Sequence, residues 1–234
     1  LQKYKEIGGE SLDLCEEAAD RILDGVRLLE SNDKSWEAFV FMNRAMLIQR
    51  ARSDWVKKGK ETPDPKEDHT HKWRPFQIAF ILMCLRGIAE PKAQNSGRDF
   101  VDLLWFPTGG GKTEAYLGLI AFTIFYRRLT NDDGGGVTAL MRYTLRLLTI
   151  QQFERAAILI CACEWLRQTK PGKLGREKIS IGLWVGGDST PNKIAEARTA
   201  LNKLRRGEAV EKGNPVQVHS CPWCGNKLTC RNYW

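Results

Sequence analysis

Residues 106–114 read Phe-Pro-Thr-Gly-Gly-Gly-Lys-Thr-Glu. They follow the short apolar run Phe100–Phe106 and precede a helical pattern over Glu114–Leu129. Glycines allow backbone N–H groups to approach phosphate oxygens, and the start of a helix adds a partial positive charge. The strict pattern G-x-x-x-x-G-K-[ST] is not met, because Phe106 stands at the first glycine position. The stretch still predicts a phosphate-binding loop, and the alternative is a glycine-rich turn that binds no ligand.

The loop chemistry predicts ATP with Mg²⁺ as the ligand. Lys112 would neutralise the β- and γ-phosphates, and the Thr113 hydroxyl would bind Mg²⁺, so these two are the predicted catalytic residues. Upstream, residues 74–77 read Arg-Pro-Phe-Gln and resemble the adenine-reading Q motif of superfamily 2 helicases, although an ordinary helix start is the alternative. The predicted ATP-binding residues are Arg74, Gln77, Thr108, Gly109, Gly110, Gly111, Lys112, Thr113 and Glu114.

Apolar runs and helical patterns alternate after residue 73. The predicted strands are Phe100–Phe106, Val137–Tyr143 and Ile179–Val185. The predicted helices are Arg74–Arg86, Glu114–Leu129, Leu147–Gln168 and Asn192–Arg206. This order is typical of βαβ units, so the sequence predicts an α/β domain with a mainly parallel sheet.

The remaining chain divides into three predicted parts. Residues 1–57 show helical periodicity from Leu12, with Ser11 as a candidate N-cap and a break at residues 31–33. Residues 58–72 are charged and contain proline, which is typical of a linker. Residues 73–212 form the predicted ATPase domain, and residues 213–234 the start of a zinc-binding insertion.

Composition narrows the class of protein. With 234 residues, 42% of them hydrophobic, the chain is neither disordered nor a small disulfide scaffold. The net charge of +8 is uneven: residues 1–72 carry 13 basic and 15 acidic side chains, and residues 73–234 carry 23 and 13. The basic part suits a nucleic acid, and a solvated basic surface is the alternative.

No apolar run is long enough to span a membrane, and the seven cysteines are expected to be reduced thiols in a soluble, cytoplasmic protein.

Two segments are candidates for contacts with DNA. Residues 144–151 read Thr-Leu-Arg-Leu-Leu-Thr-Ile-Gln and resemble a helicase segment that touches the nucleic-acid backbone, although a buried helix is the alternative. The third predicted strand ends in two glycines, which permit close approach of a phosphodiester but also serve any tight turn. The predicted nucleic-acid-binding residues are Arg142, Thr144, Arg146, Gln151, Gly186 and Gly187.

Residues 221–225 read Cys-Pro-Trp-Cys-Gly, the form of a zinc knuckle. Cys221 and Cys224 are therefore predicted ligands of Zn²⁺, with Cys230 or His219 as a candidate for a further one. Free thiols and a redox C-x-x-C motif are the alternatives, and the redox motif is disfavoured because it follows a polar loop at residues 212–215 and not a strand that opens a helix.

The stretches 102–119 and 140–153 are similar to DrmA, the family of helicase-like subunits of the DISARM anti-phage defence system. The resemblance implies a RecA-like P-loop domain of a superfamily 2 DNA helicase or translocase that acts with a partner subunit on invading DNA. The Asp-Glu pair and second RecA-like domain of such enzymes have no counterpart here. Together with the start at Leu1 and the end at Trp234, this predicts an N-terminal fragment that is inactive alone. A P-loop NTPase with another substrate and an inactive nucleotide-binding module stay open as alternatives.

Overall fold

The computed structural model describes residues 2–60, 70–94, 96–107, 109–131, 134–143 and 146–233, with side chains from residue 7 in the first helix and from residue 150 in the fifth. Over these ranges the regular elements are seven α-helices and one 3₁₀ turn. In chain order the elements are α1 (Gln2–Ser31), α2 (Asp33–Lys57), α3 (Pro75–Ala89), α4 (Lys112–Thr130), α5 (Arg146–Thr169), α6 (Pro171–Leu174), α7 (Ile194–Arg205) and the 3₁₀ turn Cys230–Asn232.

The first two helices are separated by the single residue Asn32. Its backbone is extended, and its side-chain oxygen accepts a 3.0 Å hydrogen bond from the backbone N–H of Ser35, so it caps α2. The predicted break at residues 31–33 is confirmed. Ser11 is not an N-cap, because α1 begins at Gln2 and the Ser11 hydroxyl donates back to the carbonyl of Ile7 at 2.8 Å.

Helices α1 and α3 pack against each other, while α2 lies on α4 and α5, and α3 also contacts α4. The α1–α3 contact is close at Gly25, where a Cβ atom would stand 2.1 Å from the carbonyl oxygen of Leu82. Only glycine fits at that crossing, because the absence of a side chain allows the two helix backbones to approach this closely. The position of α1 is thereby fixed against the helix that precedes the phosphate loop.

The core is built mainly from apolar side chains of α2, α3, α4 and α5. Phe41 of α2 packs on Phe125 of α4 with ring centroids 5.2 Å apart, and both rings are buried. Such large side chains contribute most of the stabilisation from burial. Fully buried members of this core include Met42, Ile81, Leu85, Phe122, Phe125, Leu159 and Leu166.

The predicted α/β architecture with a mainly parallel sheet is wrong for the described part of the chain, which contains seven α-helices and no strand. Pairing between extended segments there amounts to one isolated antiparallel bridge, Ser220–Lys227. The RecA-like sheet domain implied by the resemblance is therefore not present over these residues. The four helices predicted after residue 73, by contrast, all occur within a few residues of their expected ends, whereas the helix expected from Leu12 already begins at Gln2.

The three predicted strands show why the prediction fails. Residues 100–106, 137–143 and 179–185 have no regular secondary structure, and several of their large apolar side chains stand in solvent. Val101 is 97% exposed, Trp105 86% and Trp184 96%. A strand is stabilised by backbone hydrogen bonds to a neighbouring strand and by burial of one face. These segments have neither support within the described residues, and the core is filled by packing between helices instead.

Helices long and apolar enough to cross a membrane do not occur in the described part of the chain.

Candidate nucleotide-binding site

The segment predicted to bind phosphate, residues 106–113 (the phosphate loop), leads directly into helix α4. Gly111 is the N-cap of α4 with a φ of +93°, and Gly109 has a φ of +82°. The backbone N–H of Gly110 donates to the carbonyl of Pro107 at 3.0 Å and closes the turn between them. Lys112 and Thr113 then occupy the first turn of the helix, where free N–H groups and the helix dipole favour an anion. Thr108 lies outside the described residues.

Glycine is favoured at position 111 for two reasons. Its positive φ is a conformation that side-chain-bearing residues rarely adopt. A Cβ atom there would also stand 2.7 Å from the side-chain nitrogen of Gln77. Gly109 shares the positive φ but has open space around it, so a side chain at 109 would meet strain and no collision.

Gln77 is buried beneath the loop, with 5% of its surface exposed. Its Oε1 accepts a 2.8 Å hydrogen bond from the backbone N–H of Arg74, and its Nε2 donates at 2.8 Å to the carbonyl of Gly111. Arg74 reinforces this brace, because its Nη1 donates at 2.7 Å to the carbonyl of Gly110. The start of α3 and the phosphate loop are therefore held together through backbone carbonyls.

The role predicted for Gln77 was recognition of the adenine edge. Each end of its amide already has a partner within the protein, one at the N-cap of its own helix and one in the loop. A direct bond to a base would have to share or replace these contacts. The arrangement favours a role for Gln77 in shaping the loop, and adenine recognition stays a prediction.

An aromatic pair fastens the beginning of the loop. The rings of Phe76 and Phe106 are stacked, with centroids 3.8 Å apart and planes inclined by 16°. Phe106 is the residue at which the sequence departs from the usual glycine of phosphate loops. The Phe106 ring packs on Phe76 of α3 and so holds the start of the loop against that helix, which a glycine at this position could not do.

The charged side chains at the loop have partners within the protein. The Lys112 ammonium donates to the carbonyl oxygens of Phe106 and Pro107, the latter at 3.3 Å. Glu114 forms an ion pair with Arg155 of α5. Because Lys112 is only partly buried, its ammonium can exchange the loop carbonyls for phosphate oxygens.

The candidate DNA contacts fall in three places. Arg142 and Gln151 are exposed, and Arg146 is the first residue of α5. Gly186 accepts hydrogen bonds from the N–H groups of Ser189 and Thr190, which makes the double glycine a turn. Gly187 is exposed and lines an open groove of about 830 Å³ beside α7. Thr144 and the side chain of Arg146 lie outside the described residues.

The predicted zinc knuckle is a tight hairpin. The N–H of Cys221 donates to the carbonyl of Asn226 at 2.8 Å, and the N–H of Gly225 to that of Cys221 at 2.7 Å. The hairpin rests on α2, because Trp223 lies under the Arg52 guanidinium, 4.1 Å from the ring centroid.

The thiols of Cys221 and Cys224 are free and half-buried. Among the described residues, no three His, Cys, Asp or Glu side chains are arranged to hold a metal ion. The hairpin therefore offers two thiols of a zinc site without a third ligand from that part of the chain, and the bound metal stays a prediction.

Sequence reasoning missed the side chains that hold the loop from other helices. Arg155 and Glu114 are 41 positions apart in the sequence. Arg21 contacts Asp102, which lies seven residues before Gly109, and these two are 81 positions apart. No local pattern marks such contacts. Phe76 carried a signal, since it stands beside Gln77 within the Q-motif-like segment.

No family model matches this chain. A curated relative, DISARM protein DrmA from Bacillus paralicheniformis, is 44% identical to it over 91% of its length. The chain spans about a fifth of that relative, 20% of its length. The resemblance seen in residues 102–119 and 140–153 is thus confirmed, and nearly the whole chain is similar to one part of DISARM protein DrmA.

Proposed function

We propose that this chain carries the nucleotide-binding part of an ATP-dependent DNA helicase or translocase in bacterial anti-phage defence. The observation that carries the proposal is the phosphate loop. Two glycines of positive φ lead into the first turn of α4, where Lys112 and Thr113 stand. A glycine cradle at a helix N-terminus is a ready-made site for phosphate.

Each group at the loop has a distinct task. Backbone N–H groups in the first turn of α4 would hold the phosphate oxygens, Lys112 would neutralise their charge, and Thr113 would bind the metal ion. The bound nucleotide with its Mg²⁺ supplies the phosphoanhydride bond whose hydrolysis drives the protein. The loop fits such a ligand, since two glycines of positive φ lead into a helix N-terminus that presents backbone N–H groups to an anion.

DNA is the proposed substrate because basic side chains predominate beyond the N-terminal part. Residues 73–234 carry ten more basic than acidic side chains. Arg142 and Gln151 are exposed near the start of α5, where contacts with the phosphate backbone would not depend on sequence. Arg146, Thr144 and the glycines 186–187 are proposed to lie along the same track.

The proposed role in defence rests on the relative. Its name places that protein in the DISARM system, and we extend the same role, with a protein partner subunit, to the protein that contains this chain. Cys221 and Cys224 are proposed to supply half of a Zn²⁺ site. Zinc retained by the purified full-length protein and released in the double variant Cys221→Ser/Cys224→Ser supports that site. A protein that is metal-free as isolated and normally folded contradicts it.

ATP turnover by the full-length protein, measured with and without DNA, tests the proposal. We expect slow hydrolysis alone and faster hydrolysis when single- or double-stranded DNA is added. Turnover that DNA does not change would favour an NTPase with another substrate. Tight nucleotide binding without any turnover would favour an inactive binding module. Either of these results contradicts the proposed function.

A further inference from the structure

The segment that leads into the phosphate loop, residues 97–105, has little support of its own. It has no regular secondary structure, and Val101, Leu103 and Trp105 are each at least 83% exposed. Backbone with so little burial and no sheet ladder is free to shift unless individual contacts hold it. The few contacts that this lead-in segment makes therefore decide where the phosphate loop begins.

One of those contacts comes from the N-terminal helix. Arg21 of α1 forms a bidentate salt bridge with Asp102: Nη1 donates to Oδ1 at 2.6 Å and Nη2 donates to Oδ2 at 2.8 Å. The two side chains are only 16% and 19% exposed. A two-bonded contact of this kind fixes direction as well as distance, which a lysine in the same place could not do.

The lead-in segment wraps around the same guanidinium. Arg21 lies 5.1 Å from the ring centroid of Phe100, and Gly97 approaches so closely that a Cβ atom would stand 3.1 Å from the Arg21 Nε. The Cys84 thiol of α3 lies 3.6 Å from Asp102 Oδ2. Hydrogen bonding to Arg21 holds the pKa of the Asp102 carboxyl below its usual value, so the pair is ionised near neutral pH.

The far end of the segment is held separately. Phe106 stacks on Phe76 of α3, and the arm of Arg74 reaches the carbonyl of Gly110. Helix α1 is itself docked on α3 through Gly25, and Arg86 of α3 contacts Asp24 of α1 at 3.0 Å. The lead-in segment is thus held at Asp102 by a contact with α1, and the residue that follows it, Phe106, is held by a contact with α3.

We propose that Arg21 is a positioning residue for the nucleotide site, and that α1, through Arg21 and Asp102, sets the phosphate loop in its binding-competent position. This inference rests on the proposed function, since it assigns to the N-terminal helix control over the same site. Movement of α1, for example on contact with a partner, would then change nucleotide affinity. Arg21 touches no nucleotide and acts only through Asp102 and the loop.

The test uses the full-length protein with Arg21→Gln, Arg21→Lys and Asp102→Asn. Arg27→Gln is the matched control, because Arg27 lies on the same helix, is 70% exposed and, within the described residues, has its side chain paired with Asp24 of its own helix and not with the lead-in segment. Binding of a fluorescent ATP analogue and the KM and kcat of ATP hydrolysis are measured at one pH. We expect Arg21→Gln to weaken binding and raise KM about tenfold with kcat within about twofold, and Arg21→Lys to fall between.

Hydrogen exchange in the absence of nucleotide is the second measurement. We expect the backbone amides of residues 97–113 to exchange faster in Arg21→Gln and Asp102→Asn than in wild type or Arg27→Gln, with the rest of the protein unchanged. Wild-type affinity and exchange in folded Arg21→Gln would overturn the inference. If Arg21→Gln does not fold, Arg21→Lys and Asp102→Asn decide by the same readouts. A wild-type protein that binds no nucleotide would contradict the proposed function, while the exchange data would still show whether Arg21 holds the loop.

Discussion

The side-chain amide of Gln77 donates a 2.8 Å hydrogen bond to the carbonyl oxygen of Gly111, the residue that caps α4. This bond joins the segment expected to read adenine to the loop expected to hold phosphate. The same amide accepts from the backbone of Arg74 at 2.8 Å, so both of its ends are engaged. Gln77 is therefore placed to shape the phosphate loop whichever base the nucleotide carries.

Gln77→Glu tests that role. The substitution puts a carboxylate oxygen in place of the N–H donor beside the Gly111 carbonyl, and the two acceptors repel each other. We expect nucleotide affinity to fall about tenfold, by the loss of one buried hydrogen bond, and to fall equally for ATP and GTP. Competition binding with both nucleotides measures this. A loss confined to ATP would show that Gln77 reads the base instead.

Gly111→Ala and Gly109→Ala separate strain from collision in the loop. Both positions have positive φ, which costs a side-chain-bearing residue about 1–2 kcal/mol, but only position 111 adds a contact of 2.7 Å with Gln77. We expect nucleotide affinity to fall much further in Gly111→Ala than in Gly109→Ala, as measured by titration calorimetry. Gly182→Ala, in open space without positive φ, is the control that should bind as wild type. Equal losses at 109 and 111 would contradict the proposed brace.

Glu164 contributes a part of the free energy of unfolding that is lost at acidic pH. Its carboxylate accepts two bonds from Arg167, both 2.7 Å, one from the Ile179 N–H at 2.9 Å and one from Gln168. Bonding to Arg167 lowers the pKa of Glu164 from 4.5 to about 2. A group with a lowered folded pKa stabilises the protein above its unfolded pKa, and this stabilisation is lost as the pH falls from about 4.5 towards 2.

We expect Glu164→Gln to lower the free energy of unfolding at pH 7 by about 2 kcal/mol. Urea unfolding of both proteins between pH 7 and pH 3 checks this, and the gap between them should narrow below pH 4.5. Glu10→Gln, an exposed site on α1, should show no such gap. A gap independent of pH would show that charge at Glu164 does not matter.

Arg142→Ala tests the proposed DNA track. Each phosphate contact releases counterions, so the loss of one should reduce the slope of log affinity against log salt by about 1. We expect weaker DNA binding by the full-length protein at 50 mM salt, measured by fluorescence anisotropy with labelled duplex and single strand. Arg27→Ala, on the acidic N-terminal part, is the control. An unchanged salt dependence would show that Arg142 does not contact a DNA phosphate.

The helices and the glycine turn before α4 could be predicted from the sequence because their signals are local. Pro75 at the start of α3, the break at Asn32 and the glycines before Lys112 each act within one turn of the chain. Helices form within their own segment, so periodicity located the four helices after residue 73 to within a few residues, although α1 begins ten residues before its predicted start.

The rest could not be predicted, because it depends on distant partners. Val101 and Trp105 lie in a short apolar run that is typical of a buried strand, yet a strand also needs a neighbour, and none pairs with it in the described residues. The bond from Arg21 to Asp102 joins residues 81 positions apart, and nothing near either of them indicates the other. Contacts of this kind hold the candidate site in place, and only the three-dimensional arrangement shows them.

The rate of ATP hydrolysis by the Lys112→Ala variant of the full-length protein, measured with saturating DNA, tests the central claim most directly. Lys112 is the cation of the phosphate loop, and its loss should lower DNA-stimulated turnover at least about a hundredfold, as removal of one electrostatic group in an active site commonly does. Lys92→Ala, an exposed lysine in a turn after α3, is the matched control and should keep wild-type turnover. Turnover in Lys112→Ala equal to that of the wild type would contradict a phosphate-binding role for this loop.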